Sequence, residues 1–304
     1  MSEPYHSGSI TVQERTGERD LADANGRIIG AKISERAQPF LAKQSYCALG
    51  WVDRDGMLWG SFVEAGPGFA SSAADGEKLE LDLSRVKNAP HSIPALGSLP
   101  AARRVGLLFI DLETRRRLRV NGNVETLSST SLTIDVSESF PNCPKYIQSR
   151  VMKPRASARR APASESGDSM TREVAALIAA ADTAFVSSMS PAGDIECSHR
   201  GGRPGFVQIR DSALHIPDYR GNSMFKSLGN LLLTPRAGLC FVDFDGGRQL
   251  QITGDVRVDL GTNRADEASC DVRPSWSLIP RQWKLAPLMS EVDWQFIAPS
   301  PFNP

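Results

Sequence analysis

The sequence predicts a mostly β protein with flanking helices, an α+β chain built as two copies of one small barrel domain. Three observations predict it. Thr171 lies 137 residues after Ser34, and the same spacing separates Gly193 from Gly56 and Phe206 from Phe69. The run Gly106-Leu-Leu-Phe-Ile-Asp111 answers Gly238-Leu-Cys-Phe-Val-Asp243, and Gly122 answers Gly254, both at 132 residues. Within each copy, short apolar runs alternate with turn residues, as in barrels whose strands pack helices on the outside. One spacing held across a helix, two strands and two turns points to duplication, and duplicated copies pack about a pseudo-twofold axis.

In order, residues 1–150 comprise a polar arm, with a helix expected near Asp20 to Ile33, and the first domain. Ser34 is placed as N-cap of a helix over SERAQPFLAKQ, because its hydroxyl can accept from a free helical amide. The strands SYCALGWV and MLWGSFVEA follow, joined by DRDG and closed by the turn GPGF. Residues 151–169, rich in Pro, Ala, Ser and Arg, read as a flexible linker in which Arg155, Arg159 and Arg160 are solvated. Residues 170–304 form the second domain and a tail. Thr171 caps TREVAALIAAAD, and TAFVSSM, SPAGD, IECSHRGG and RPGF repeat the first copy's order. LRVNGNVETL and LQITGDVRVD approach period two around a central Gly, which suits a bulge or barrel corner. Leu107, Phe109, Ile110, Leu239, Phe241 and Val242 are expected in the core or the interface. Proline density over the last 32 residues disfavours a long helix, so Trp276, Trp283 and Trp294 are expected on an extended tail covering apolar surface.

Composition excludes several functions. The 304 residues carry 35 Lys+Arg against 35 Asp+Glu, so no global charge draws nucleic acid or acidic membrane. No apolar run approaches a membrane span of about 20 residues, and the first 20 residues lack a signal-peptide core. Five scattered cysteines, Cys47, Cys143, Cys197, Cys240 and Cys270, suit buried thiols in a reducing compartment, so a cytoplasmic protein is expected. His6, His91 and His215 have no metal-like spacing, and no metal is expected. No P-loop, GxGxxG or Ser–His–Asp pattern is present.

The densest chemistry lies between Ser198 and Phe244. Ser198-His199-Arg200-Gly201-Gly202 places a cation beside glycine, and Arg220-Gly221-Asn222 with Lys226-Ser227 adds donors on a turn and a helix start. Such donors suit a phosphate or another anion. The plain alternatives are a surface salt bridge for Arg200, a solvent-facing helix for Lys226 and Ser227, a structural His199, and a turn with positive φ at Asn222.

These residues, SHRGGRPGFV, PDYRGN, SLGNLLLTPRAGLCFVDF and LQITGDV, resemble the FMN-binding split-barrel proteins related to pyridoxamine 5'-phosphate oxidase. The first copy, including NCPKYIQ, is similar to a diverged member, and YHSG, VQERTG and SPFNP are similar to tandem-barrel members. The resemblance implies two tandem split β-barrels with FMN between them, in a family that ranges from oxidases and reductases to proteins without assigned activity. It carries the phosphate to Ser198, His199 and Arg200 on the strand, then to Lys226 and Ser227 on the helix, while Gly201 and Asn222 are cofactor-binding candidates from close backbone approach and from the turn. Many relatives place Lys near Ser227, and Thr234-Pro235-Arg236 stands where they have Asn-Pro-Arg.

At the 137 offset, copy one has Phe62, Val63 and Glu64 against His199, Arg200 and Gly201, so copy two is expected to hold the phosphate. Copy one would form the other wall, with Lys145 and Tyr146, and Arg248 would face N1 of the reduced flavin. The implied activity is an FMN-dependent oxidation or reduction of a small molecule, with a reduced nicotinamide as donor. The alternative is a non-catalytic flavin, deazaflavin or heme carrier. A pseudo-dimer follows, and the single chain leaves room for a homodimer.

Overall fold

The computed structural model describes residues 4–88, 104–155, 163–261, 274–288 and 292–304. His91, Arg159, Arg160 and Cys270 lie outside them. The chain is mostly β, in antiparallel sheets. In the first half, seven strands lie in the spatial order Leu58–Glu64, Tyr46–Val52, Arg104–Asp111, Arg116–Leu127, Ser131–Pro141, Lys78–Asp82, Ala70–Ser72. In the second half the order is Ile195–Gly201, Thr183–Met189, Arg236–Asp243, Arg248–Asp259, Ser275–Pro287, Ala213–Pro217, Gln208–Arg210, with Glu165–Gly167 paired to Ser275–Pro287.

The two sheets therefore run their strands in the same order. Register agrees too: Cys47 faces Phe109 in the first, and Ala184 faces Phe241 in the second. The expected bulges occur at Asn121/Gly122 and Thr253/Gly254. Both glycines are required sterically, because a Cβ would stand 2.1 Å from Asp135 O at Gly122 and 2.2 Å from Ile279 O at Gly254.

Among the described residues there are four apolar clusters, the smallest joining Tyr5, Ala22, Phe140 and Met224, and the other three form the halves and their junction. Leu107 and Phe109 lie inside the first sheet's core with Leu49, Trp59 and Phe69. Leu239 and Phe241 lie inside the second with Ile178, Leu250 and Trp276. Alternation on the same strands sends Leu108, Ile110, Cys240 and Val242 into a third cluster between the halves. Those strands are apolar on both faces because both faces are covered. Close approach of the halves depends on missing side chains: a Cβ at Gly50 would meet Ser187 Oγ at 2.5 Å, and one at Gly106 would meet Glu196 Cα at 2.5 Å.

Several expectations are corrected. The arm forms two helices, Ser7–Arg15 and Arg19–Gly26, rather than one near Asp20 to Ile33. The first belongs spatially to the second half: Gly8 crosses Gly229, Gln13 Nε2 donates to Met224 O at 2.9 Å, and His6 Nε2 meets Asn230 Oδ1 at 2.7 Å. The helix expected from Ser34 spans only Gln38–Leu41 with Ala37 as its N-cap. Pro39 is tolerated only in a helix's first turn, which moves the start past Ser34. Thr171 does cap Arg172–Ala180, accepting from Val174 N at 3.2 Å.

The segment 151–169 is not a free tether at either end. Ser149–Pro154 pairs with Val292–Ala298, Glu165–Gly167 joins the second sheet, and Arg155 Nε holds Asp293 Oδ1 at 2.7 Å. The expected C-terminal tail is largely sheet, because Ser275–Pro287 pairs along the whole of Arg248–Asp259. Trp276, Trp283 and Trp294 are all buried, as covers of apolar surface should be. Among the described residues, no helix is long and apolar enough to cross a membrane.

Candidate functional site

A cleft of about 800 Å³, counted out to its open mouth, lies between the halves. Its second-half wall is the strand Ile195–Gly201, the loop after Pro217 and the start of the helix Lys226–Leu233. Its first-half wall is Arg117 and Arg119, two apart and so on one face of the strand Arg116–Leu127, with Asn142, Cys143 and Tyr146 from the following loop. Ser198, His199, Arg200, Gly201, Asn222, Lys226 and Ser227 all line it. Seven residues drawn from three stretches of sequence are thereby brought together.

Their roles differ from one another. Arg200 Nη2 binds Asp218 Oδ1 at 2.8 Å, while its buried Nε has no partner among the described residues. His199 is 4% exposed, and neither ring nitrogen has a hydrogen-bond partner there. Burial, then the nearby Arg117, Arg200 and Arg150, pushes its pKa well below the usual imidazole value, so the ring is neutral at pH 7. Lys226 Nζ holds Glu138 Oε1 of the first half at 2.6 Å. Ser227 Oγ donates to Glu196 Oε1 and lies 3.0 Å from Ser198 Oγ. Arg119 Nη1 meets Glu196 Oε2 at 2.9 Å, and Arg119 Nε donates to Cys197 O at 3.1 Å. Burial raises the Glu196 carboxyl, but Arg119, Lys226 and Ser227 together outweigh it and hold the group below the usual carboxylate range. Arg117 Nε donates to Cys143 O at 2.8 Å and has no carboxylate partner among the described residues.

The helix Lys226–Leu233 opens on the cleft from Phe225, which is left-handed at φ 49°, and no side chain caps it. Its first amides are therefore left to other partners. Positive φ falls at Ser223 and Phe225, not at Asn222 as expected. Asn222 instead accepts from Met224 N at 3.2 Å, as an Asx turn does.

Gly201, although it lines the cleft, is also needed for packing, since a Cβ would stand 2.0 Å from Tyr146 O. Two expectations fail here. Lys145 is not among the lining residues; its Nζ donates to Arg220 O at 3.3 Å and sits over Phe302. Arg248 lies away from the cleft, bound to Asp243 and Glu173, because Asp243 faces it across the strand pair. Sequence reasoning missed Arg117, Arg119, Asp218 and Tyr219. Two arginines at period two inside RRLRVNGNV were the available sign, and they were read only as part of a strand.

The counterpart place in the first half is filled. Phe62, at the position answering His199, stacks on Phe185 at 5.7 Å and is enclosed by Tyr46, Phe244 and Trp294. This supplies a test of the His199 environment. A neutral buried imidazole binds fewer protons folded than unfolded, so stability falls as pH drops below the unfolded value of about 6.5, by up to about 1.4 kcal/mol per pH unit. His199→Phe should remove that dependence. Urea unfolding at pH 7.5 and 5.0 checks it, and equal slopes in parent and variant would show that His199 does not carry the effect.

No protein-family model matches the chain, and no curated protein matches it. Solved structures to which it is similar include a conserved hypothetical protein from Mycobacterium tuberculosis, at 11% identity over 41% of this chain and 88% of that one, with a TM-score of 0.30. A pyridoxamine 5'-phosphate oxidase-related, FMN-binding protein from Nostoc punctiforme matches at 15% identity over 39% and 88%, TM-score 0.27. An F420 reductase matches at 13% identity over 36% and 93%, TM-score 0.26. Scores this low decide neither fold nor ligand, which rest on strand order and on the cleft.

Proposed function

We propose that the chain is an FMN-binding flavoprotein that holds one flavin, phosphate inward, in the cleft between two duplicated split barrels, and oxidises or reduces a small molecule. The observation that carries this is the set of unused donors. Arg200 with its unpartnered Nε, the carboxylate-free Arg117 and the uncapped helix start at Lys226 and Ser227 all line one cleft. An unsatisfied buried donor is costly, and a phosphate oxygen satisfies several at once. The residues present therefore fit a phosphate ester. Duplication is supported by the shared strand order, and by Gly50 touching Ser187: the two stand at the 137 offset, and equivalent positions meet only near a twofold axis.

FMN, when bound, supplies the hydride or electron chemistry. The chain's part is to bind and orient. Arg200 keeps Nη2 on Asp218 and offers its remaining N–H groups to the anion, and Arg117 adds charge from the opposite wall. Tyr146 and Tyr219, whose rings lie 5.1 Å apart, bridge the two walls beside the cleft. His199 can exchange one hydrogen bond with a polar ligand atom without carrying charge. A reduced nicotinamide is the electron donor in this reading.

The absorbance spectrum of the purified protein, with mass identification of released cofactor, tests it. The expected result is a flavin spectrum, or uptake of added FMN to one per chain, because Phe62 and its aromatic neighbours fill the counterpart place. A colourless protein that takes up no FMN overturns the proposal. Two per chain overturns the asymmetry between the halves. Bound flavin that neither NADH nor NADPH reduces would remove the nicotinamide-linked reaction and favour the carrier.

A further inference from the structure

Behind the phosphate-facing wall, Glu196 takes up two groups that would otherwise serve an anion, Arg119 and Ser227. It is 2% exposed and lies outside the cleft lining, while Arg119, Ser227 and Ser198 are in it. A hydroxyl has one proton. That of Ser227 is committed to Glu196, since a carboxylate paired with Arg119 only accepts. Ser198 Oγ lies 3.0 Å from Ser227 Oγ, on its acceptor side, and gives its own proton to Val186 O at 3.4 Å, which also points inward. Both hydroxyl protons thus run away from the cleft.

Charge follows the same pattern. Of the cations Arg117, Arg119, Arg200 and Lys226, the last three are matched by Glu196, Asp218 and Glu138. The cleft is left to balance about one negative charge, with help from the helix start.

We propose that Glu196 is the specificity-determining residue of the cleft: it withdraws Ser227 and Arg119 from the ligand, so that the site accepts a phosphate ester bearing one negative charge as well as one bearing two. This rests on the flavin reading above. In consequence, the phosphate is held by Arg200, Arg117 and backbone amides, and the two serines, although in the cleft, are not its donors.

The test titrates FMN, its phosphate monomethyl ester and riboflavin, by flavin fluorescence, against the parent, Ser227→Ala and Glu196→Gln. The ester keeps one charge where FMN has close to two. The parent should bind FMN and the ester within about threefold of each other, and Ser227→Ala should change FMN affinity by less than about twofold. Glu196→Gln releases Arg119 and turns the Ser227 hydroxyl outward, so FMN should gain about tenfold while riboflavin is unmoved.

A loss of about tenfold for FMN in Ser227→Ala would show that its hydroxyl serves the phosphate and would overturn the inference, leaving the flavin reading intact. A parent that prefers FMN to the ester by about tenfold would overturn it too. Should Glu196→Gln fail to fold, the parent and Ser227→Ala still decide. If the parent takes up neither FMN nor the ester, the flavin reading falls and this inference falls with it.

Discussion

Replacing Arg200 by Ala should weaken FMN binding by roughly tenfold to 150-fold, because a charge-assisted hydrogen bond contributes about 1.5–3 kcal/mol and about 1.4 kcal/mol is a factor of ten. The structure makes the expectation specific. Arg200 Nη2 is engaged by Asp218 at 2.8 Å, so Nε and Nη1 are what remain for a ligand oxygen. Truncation also removes the 2.8 Å guanidinium contact from Asp218 in the cleft wall. Riboflavin has no phosphate, so its affinity should fall little on the same change.

Arg200→Lys should recover only part of the loss, since an ammonium lacks the planar fork that serves Asp218 and phosphate together. Val63→Ala, at the answering position, should leave FMN binding almost unaltered while costing stability, because Val63 lies in the first half's core. Titration of both flavins against these variants decides it. Equal losses for FMN and riboflavin would mean that Arg200 acts on the ring or on the fold. No loss would place the phosphate elsewhere.

The second large effect is on stability. Gly238→Ala should destabilise the chain by about 3 kcal/mol, at the upper end of what overpacking costs. A Cβ at 238 would stand 2.6 Å from the Trp59 carbonyl carbon, 2.7 Å from Leu58 O and 2.8 Å from Gly60 N. All three are backbone atoms of a strand in the other half, so no rotamer change relieves the contact. Gly66→Ala is the control: nothing lies within 4 Å of its added carbon, and a change within about 0.5 kcal/mol is expected. Urea midpoints for the two variants check this. A Gly238→Ala protein as stable as the parent would mean that the halves do not pack through this contact in solution.

The strands that recur in both copies, their turns and both bulges were legible in the sequence, because they depend on local chemistry, whereas the C-terminal strands Ser275–Pro287 and Val292–Ala298 were not. Alternating apolar residues have one register that buries them, and a glycine whose Cβ would strike the neighbouring strand can be nothing else. Thr171 could be read as a cap for the same reason, while Ser34 could not, because Pro39 restricts where that helix begins. The second half's share of the cleft was also legible, since Ser198 to Arg200 and Lys226 to Ser227 lie on single short elements whose composition shows their chemistry.

What only the tertiary structure decided was the other half of every pair. Arg117 and Arg119 stand about 80 residues before the strand they face, and nothing local distinguishes an arginine on an outer face from one aimed across an interface. Glu196 looks in sequence like one polar residue of a strand; packing makes it the acceptor for Arg119 and Ser227. Arg248 and Lys145 carried the right charge in plausible places, and neighbours already satisfied them elsewhere. Phe62 decides the asymmetry, because whether an answering position is open or filled depends on which side chains from distant strands reach it. By itself the sequence determined the duplicated strands and part of one wall of the site; long-range packing determined which donors remain unpaired, and unpaired donors are what a ligand can use.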